Sequence, residues 1–158
     1  DSPPQGWRMD DQRVVIGNAD HLRRAVQALN NWVQFELSWV FPYRRDVPIQ
    51  PGELFAFSSR QYGLWALNVC RIVYLINDDS DQMTRIGFAY GTVGNHSIRG
   101  EETFTIELDK TSDELYFRTT KFSRPAQFLT RLALPLTTLA QDRFTRDALA
   151  RMQQEVTN

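Results

Sequence analysis

His96, Glu101 and Glu102 are the residues of this 158-residue chain whose types and spacing best fit acid–base chemistry. An imidazole and a carboxylate held close together can give and take a proton from a bound molecule. His96 falls in a polar loop, and the two glutamates begin the strand that follows it. Neighbouring strand residues point to opposite faces, so only one of the glutamates can face an interior. Phe104, Ile106 and Leu108 alternate with Thr103, Thr105 and Glu107. If the apolar set points inward, Glu102 does too, and Glu101 points away. The plainer reading is that Glu102 and His96 pin the loop by hydrogen bonds to backbone amides. Arg124 completes the candidate set. Its guanidinium would either clamp a ligand carboxylate or phosphate, or pair with Glu102 and tie the strand to the C-terminal helix.

Other chemistry-bearing residues have simpler roles. Tyr90 and Thr92 supply hydroxyls that could orient a ligand, although a buried tyrosine needs a partner in any case. Gly87, Gly91 and Gly100 suit tight turns and close packing, since no Gly-rich loop leads directly into a helix as a nucleotide cradle requires. Cys70 has no activating histidine nearby in sequence and reads as a small buried hydrophobe. As the single cysteine it cannot form an internal disulfide, which favours the cytoplasm or another reducing compartment, a plastid included if the source is a plant or alga. With two histidines besides, a zinc site is not expected, and neither is any other metal or cofactor. The Asp78–Asp81 cluster has the charge of a calcium loop without its ligand periodicity or terminal Glu. His21 falls in the first helix and reads as exposed. Lys110 and Lys121 are the only lysines, every other basic residue being arginine.

The elements that must position these groups follow from periodicity. Arg13–Gly17 is a strand, and Asn18 or Asp20 caps a helix over Ala19–Asn31. Trp32–Phe41 alternates like a strand, and Glu53–Ser59 follows the Pro51-Gly52 turn as another. Leu64–Ile76 reads as a long, largely buried strand, and Asn77–Asp81 as a turn. Arg85–Tyr90, Thr103–Leu108 and Glu114–Phe122 complete an antiparallel meander. Pro125 suits the first turn of a helix running to about Glu155, with Ser123 as its N-cap. Leu129, Leu132, Leu136, Leu139, Ala140, Phe144, Ala148 and Met152 fall on one face, and Pro135 should kink it. The fold class is therefore α+β, a curved antiparallel sheet packed around one long C-terminal helix. Trp32, Trp39, Trp65, Phe55, Phe57 and Phe88 could line a cavity, but such aromatic stripes more commonly form core.

Composition excludes several classes. With 42% hydrophobic and 12% aromatic residues the chain is not disordered, and its length suits a single domain over 1–158, with 1–11 as an N-terminal arm. A net charge of −1 provides no field for nucleic acid. The apolar stretch 128–140 would span about 20 Å as a helix, too short for a bilayer, which leaves packing on the sheet or lying on a membrane surface. The chain does not begin with Met, so a trimmed N-terminal leader is compatible with what is seen. Nothing in the composition sets an oligomeric state.

The run Gly87-Phe88-Ala89-Tyr90-Gly91-Thr92, followed by His96 and by Gly100-Glu101-Glu102, is more specific than a generic strand–turn–strand. It resembles the signature of the DUF1990 (UPF0548) family of uncharacterised proteins. Phe122-Ser123-Arg124-Pro125-Ala126 is similar to that family's second motif, and Pro3-Pro4-Gln5-Gly6-Trp7 with Arg13–Gly17 to its N-terminal pattern. The resemblance covers most of the chain, with a looser match around Phe35–Arg45. It implies a helix-grip fold of the START-like, Bet v 1-like superfamily, with a cavity between sheet and C-terminal helix. The function it implies is binding of a small apolar or amphipathic ligand, with Phe88, Tyr90, Thr92, Phe104, Phe122, Leu132 and Leu136 as the expected lining. Two alternatives remain open. One is a cyclase- or hydrolase-like enzyme using His96, Glu102 and Arg124; the other is a non-catalytic interaction or membrane-surface protein.

Overall fold

The computed structural model describes residues 8–44, 46–93, 98–125 and 134–158, with backbone alone at 98–99, 123–125 and 134–137. One antiparallel sheet takes every described strand: β1 (Arg8–Gly17), β2 (Val40–Pro42), β3 (Leu54–Gln61), β4 (Leu64–Asp79), β5 (Met83–Thr92), β6 (Ile98–Asp109) and β7 (Glu114–Pro125). Their order in space is β1-β7-β6-β5-β4-β3-β2. Short hairpins explain most of that order. At β3–β4, Tyr62 (φ 52°) and Gly63 (φ 78°) are both left-handed, the two-residue turn whose twist matches the strands it joins. At β6–β7, Asp109 Oδ1 accepts from the backbone N–H groups of Thr111 at 2.8 Å and Ser112 at 3.2 Å. Helix α1 (Leu22–Asn30), entered through a 3₁₀ turn at Ala19–His21, and the long helix α2 (Leu134–Thr157) close the inner face.

The core lies between that face and the helices. Ile72, Phe88, Phe104, Ile106 and Phe117 from the sheet meet Leu29 of α1 and Met152 and Val156 of α2, all at most 1% exposed. Gly87 shows how closely β5 and β6 approach. A Cβ there would overlap the Phe104 carbonyl oxygen and lie 2.9 Å from Thr105 Cα. These are backbone atoms that cannot step aside without parting the strands. Gly87→Ala should therefore cost about 3 kcal/mol, at the upper end for overpacking, read as a fall in the urea midpoint.

Several sequence expectations change. The strand starts at Arg8, so residues 8–11 belong to β1 and not to an arm; Arg118 grips Asp11 through two bonds of 2.7 and 2.6 Å. The expected strand Trp32–Phe41 shrinks to Val40–Pro42. Trp32 is left-handed (φ 62°) and opens a 3₁₀ turn over Val33–Phe35 whose three residues are all buried, a pattern that alternation cannot produce. Indole bonds hold this segment down: Trp32 Nε1 donates to the Val47 carbonyl at 3.0 Å, and Trp39 Nε1 to Asp147 Oδ2 of α2 at 2.9 Å. Strand β4 is long, as expected, but largely exposed, with Cys70 and Ile72 its only buried residues. It also runs through Asn77–Asp79, so the turn is confined to residues 80–82. Ser123 lies within β7 and not at a helix N-cap, and Pro125 is the last residue of that strand; the residues that follow it lie outside the described ones. Pro135 is the second residue of the described part of α2, and the residues before Leu134, on which the expected kink depends, lie outside the described ones. Phe144, Ala148 and Met152 form its buried face, whereas Leu139 is 53% exposed.

Candidate functional site

Strand register brings four side chains into one row on the inner face. Asp10 of β1 stands opposite Lys121 of β7, Lys121 opposite Glu102 of β6, and Glu102 opposite Tyr90 of β5. Cross-strand partners share a face, so the row is a direct consequence of the pairing. Lys121 is 6% exposed and is satisfied from α2, donating to Thr145 Oγ1 at 2.5 Å and to the Gln141 carbonyl at 3.2 Å. Its ammonium also lies 3.5 Å from Asp10 Oδ2. Asp10 Oδ1 in turn accepts from Gln12 Nε2 at 3.0 Å.

Asp10 Oδ2 has no hydrogen bond among the described residues but has the Lys121 ammonium beside it. The Tyr90 hydroxyl donates to Glu102 Oε2 at 2.5 Å, while Glu102 Oε1 is buried and has no hydrogen-bond partner among the described residues. Burial raises its carboxyl above the ordinary range and the Asp10 charge adds to this; Lys121 and the Tyr90 bond pull the other way without cancelling it. Protonating Glu102 leaves one carboxylate facing one ammonium, a neutral row, which is why the interior tolerates it. Burial and the same carboxylate push the Tyr90 hydroxyl well up and the Cys70 thiol to about 12, so neither supplies an anionic nucleophile near neutral pH.

The row forms the polar end of a cavity of about 280 Å³ between the sheet and α2. Trp39, Phe57 and Phe144 supply apolar wall, and Tyr90, Glu102 and Lys121 the polar end. Below it, Phe35 packs against Phe55, Phe57, Phe104 and Phe144 with ring centroids 5.0 to 5.8 Å apart. Such a chamber can bury an apolar body and address one polar group on it. No group of three metal-ligating side chains occurs among the described residues.

Of the expected site residues, Glu102, Tyr90 and Thr92 border this cavity. Phe122 borders it as well, although its register partner is Glu101, on the face opposite Lys121. Glu101 accepts from the Tyr74 hydroxyl at 2.8 Å, away from the row. Phe88 and Phe104 lie deeper, at 1% and 0% exposure. His96 and Leu132 lie outside the described residues, as do the side chains of Arg124 and Leu136. The cross-strand partner of Glu102 is Lys121, whereas the Arg124 backbone stands opposite Arg99. Sequence reasoning missed Lys121 and Asp10. The available signal was Lys121's place four residues after inward Phe117, as one of only two lysines in the chain.

A family model described as "Domain of unknown function (DUF1990)" matches residues 1–151. A UPF0548 protein of Dictyostelium discoideum is 33% identical over 156 residues, covering 94% of this chain and 72% of that protein. Among solved structures, the Zhui aromatase/cyclase from a Streptomyces species superposes with a TM-score of 0.62 at 12% identity, covering 95% of this chain and 93% of that one. A norcoclaurine synthase point mutant from Thalictrum flavum, in complex with a transition-state analogue, superposes at 0.54, with 12% identity and coverage of 96% and 97%. These likenesses show the fold, a curled antiparallel sheet gripping a C-terminal helix in the START-like, Bet v 1-like manner.

Proposed function

The chain belongs to the DUF1990 family, and we propose that it binds a small amphipathic molecule in the cavity between its sheet and α2. The ligand's apolar body lies against Trp39, Phe57 and Phe144, and its polar group hydrogen-bonds to Glu102. The observation that carries this reading is the buried Oε1 of Glu102, without a hydrogen-bond partner among the described residues, at the polar end of a cavity whose opposite wall is aromatic. A buried oxygen without a partner is costly, and a ligand O–H that satisfies it recovers that cost on binding. The ligand class is therefore an apolar skeleton carrying one hydroxyl, a description that fits a phenol or an alcohol. Neighbours of the same fold, one of them solved in complex with a transition-state analogue, support the first half of the reading, and the geometry of Glu102 the second.

The test uses a probe pair that differs only in the donor, 2-naphthol and 2-methoxynaphthalene, with binding followed by calorimetry. The naphthol should bind about tenfold more tightly, the effect of one hydrogen bond to a buried acid. Glu102→Leu should erase that difference while leaving the ether's affinity nearly intact. Equal binding of the two probes to the unaltered protein removes the anchoring role of Glu102. No binding of either removes the cavity reading itself.

A second reading rests on the elevated carboxyl of Glu102. A carboxylic acid held protonated beside a ligand oxygen can donate its proton to that oxygen, which is general-acid catalysis. Turnover that falls as pH rises through the Glu102 ionisation, and is lost in Glu102→Gln with binding retained, would favour catalysis over simple binding.

A further inference from the structure

The β3–β4 hairpin carries an exposed apolar surface of which Leu67 alone also borders the cavity. From Leu54 to Asn77 the only charged residues are Arg60 and Arg71, with no acid among them, although the chain as a whole is slightly acidic. At the hairpin end, Tyr62, Leu64, Trp65 and Leu67 are 58 to 69% exposed. Phe41 of β2 extends the patch, its ring 5.4 Å from that of Trp65. The Arg60 guanidinium sits 5.8 Å from the Trp65 ring centroid, so charge and indole occupy the same level. Neither arginine has an acidic partner among the described residues.

We propose that this hairpin docks on an anionic lipid bilayer, with Tyr62, Leu64 and Trp65 in the headgroup–acyl boundary and Arg60 against the phosphates. The composition decides the occupant. Tryptophan and tyrosine partition to the membrane–water interface because one part of each ring is apolar and the other hydrogen-bonds. Leucine at the extreme tip adds apolar burial, and arginine beside it matches the negative surface of a leaflet containing acidic lipids. No described helix is long and apolar enough to cross a membrane, so this is contact with one leaflet by a hairpin tip.

The position of the patch gives docking a use. Ser59, Gln61, Ala66 and Asn68, on the same two strands, border the cavity. A docked hairpin therefore brings the cavity to the lipid surface, where an amphipathic ligand can enter without crossing water. That last step rests on the ligand-binding reading; docking itself does not.

Vesicle flotation tests docking independently of any cavity ligand. The vesicles are phosphatidylcholine alone, and phosphatidylcholine with phosphatidylserine at about 2:1. The protein should float with the mixed vesicles and far less with the neutral ones. Leu64→Ser combined with Trp65→Ser should weaken flotation by about tenfold or more; both side chains are exposed, so the core is untouched, and circular dichroism checks this. Arg60→Gln should weaken flotation on the mixed vesicles alone. No flotation on either vesicle, or flotation indifferent to the hairpin changes, overturns the proposal. Equal flotation on both vesicles, unaffected by Arg60→Gln, overturns its electrostatic half. Sedimentation showing a dimer that the Leu64/Trp65 double change turns into monomer would assign the face to a second copy of the chain and overturn docking as well.

Discussion

Phe35→Ala should lower the stability of the protein by about 3–5 kcal/mol, the range for removing a fully buried aromatic ring. Phe35 is 1% exposed, and its ring lies 5.6 Å from Trp32, 5.0 Å from Phe57, 5.8 Å from both Phe55 and Phe104, and 5.3 Å from Phe144. It thus joins the 3₁₀ segment, the sheet and α2 in one aromatic cluster. Its neighbours are held by strand pairing and by the helix, so they cannot close in on the vacated space, and the cavity term adds to the lost transfer energy. Against a total of about 5–15 kcal/mol for a domain, a loss of this size removes much of the margin. Urea denaturation should show a markedly lower midpoint with an unchanged slope. Phe35→Leu, which retains most of the volume, should recover a large part of the loss; a Phe35→Ala midpoint near that of the parent protein would mean that the ring does not join these layers.

Lys121→Met should have an effect of similar size, and one that depends on pH. The substitution leaves Asp10 and Glu102 in a buried row without their ammonium, and breaking a buried ion pair from one side costs about 3–5 kcal/mol. The direction with pH follows from Glu102. Its folded pKa lies above the unfolded value of 4.5. A raised carboxyl contributes stability that is fully present below the unfolded value and is lost as pH rises through the folded one. Lys121 is the largest influence holding that folded value down. Without it the carboxyl moves higher, and the protein loses stability over a wider span of rising pH. The deficit of Lys121→Met should therefore be greatest at about pH 8 and smallest at about pH 4, where the acid is neutral in both states. Adding Glu102→Gln should relieve much of the deficit at high pH, since the amide needs no counter-charge. A deficit independent of pH would mean that Lys121 acts through packing and its bonds to α2 instead of through charge.

Much of the sheet was legible because period-two patterning is a local property. Phe104, Ile106 and Leu108 announce the inner face of β6, and the same parity puts Glu102 in the inner row opposite Tyr90, whereas Glu101, expected to point away, binds the Tyr74 hydroxyl yet also borders the cavity. The segment 32–41 was not legible in this way. Its alternation is real in the sequence, but Trp32 adopts a left-handed conformation and the next three residues bury together, because indole bonds to Val47 and Asp147 fasten the segment against α2. Those partners lie 15 and 108 residues away, beyond any local pattern. Strand β4 misleads in the opposite sense: its β-branched and aromatic residues promise burial, yet near the sheet's β2–β3 end the described helices leave Leu64–Leu67 uncovered.

For the site, the sequence alone pointed to Glu102 and its face, and to Tyr90 as a separate candidate; that the two are paired follows from the β5–β6 register. The two candidates follow from strand alternation and a recognisable motif. Only the tertiary structure decided the counter-ion. Lys121 stands opposite Glu102 because β6 and β7 pair in one register, and Asp10 joins because β1, the first described strand, pairs with β7. Pairing between strands far apart in sequence is selected by the energy of the whole assembled core, and no window of residues records it.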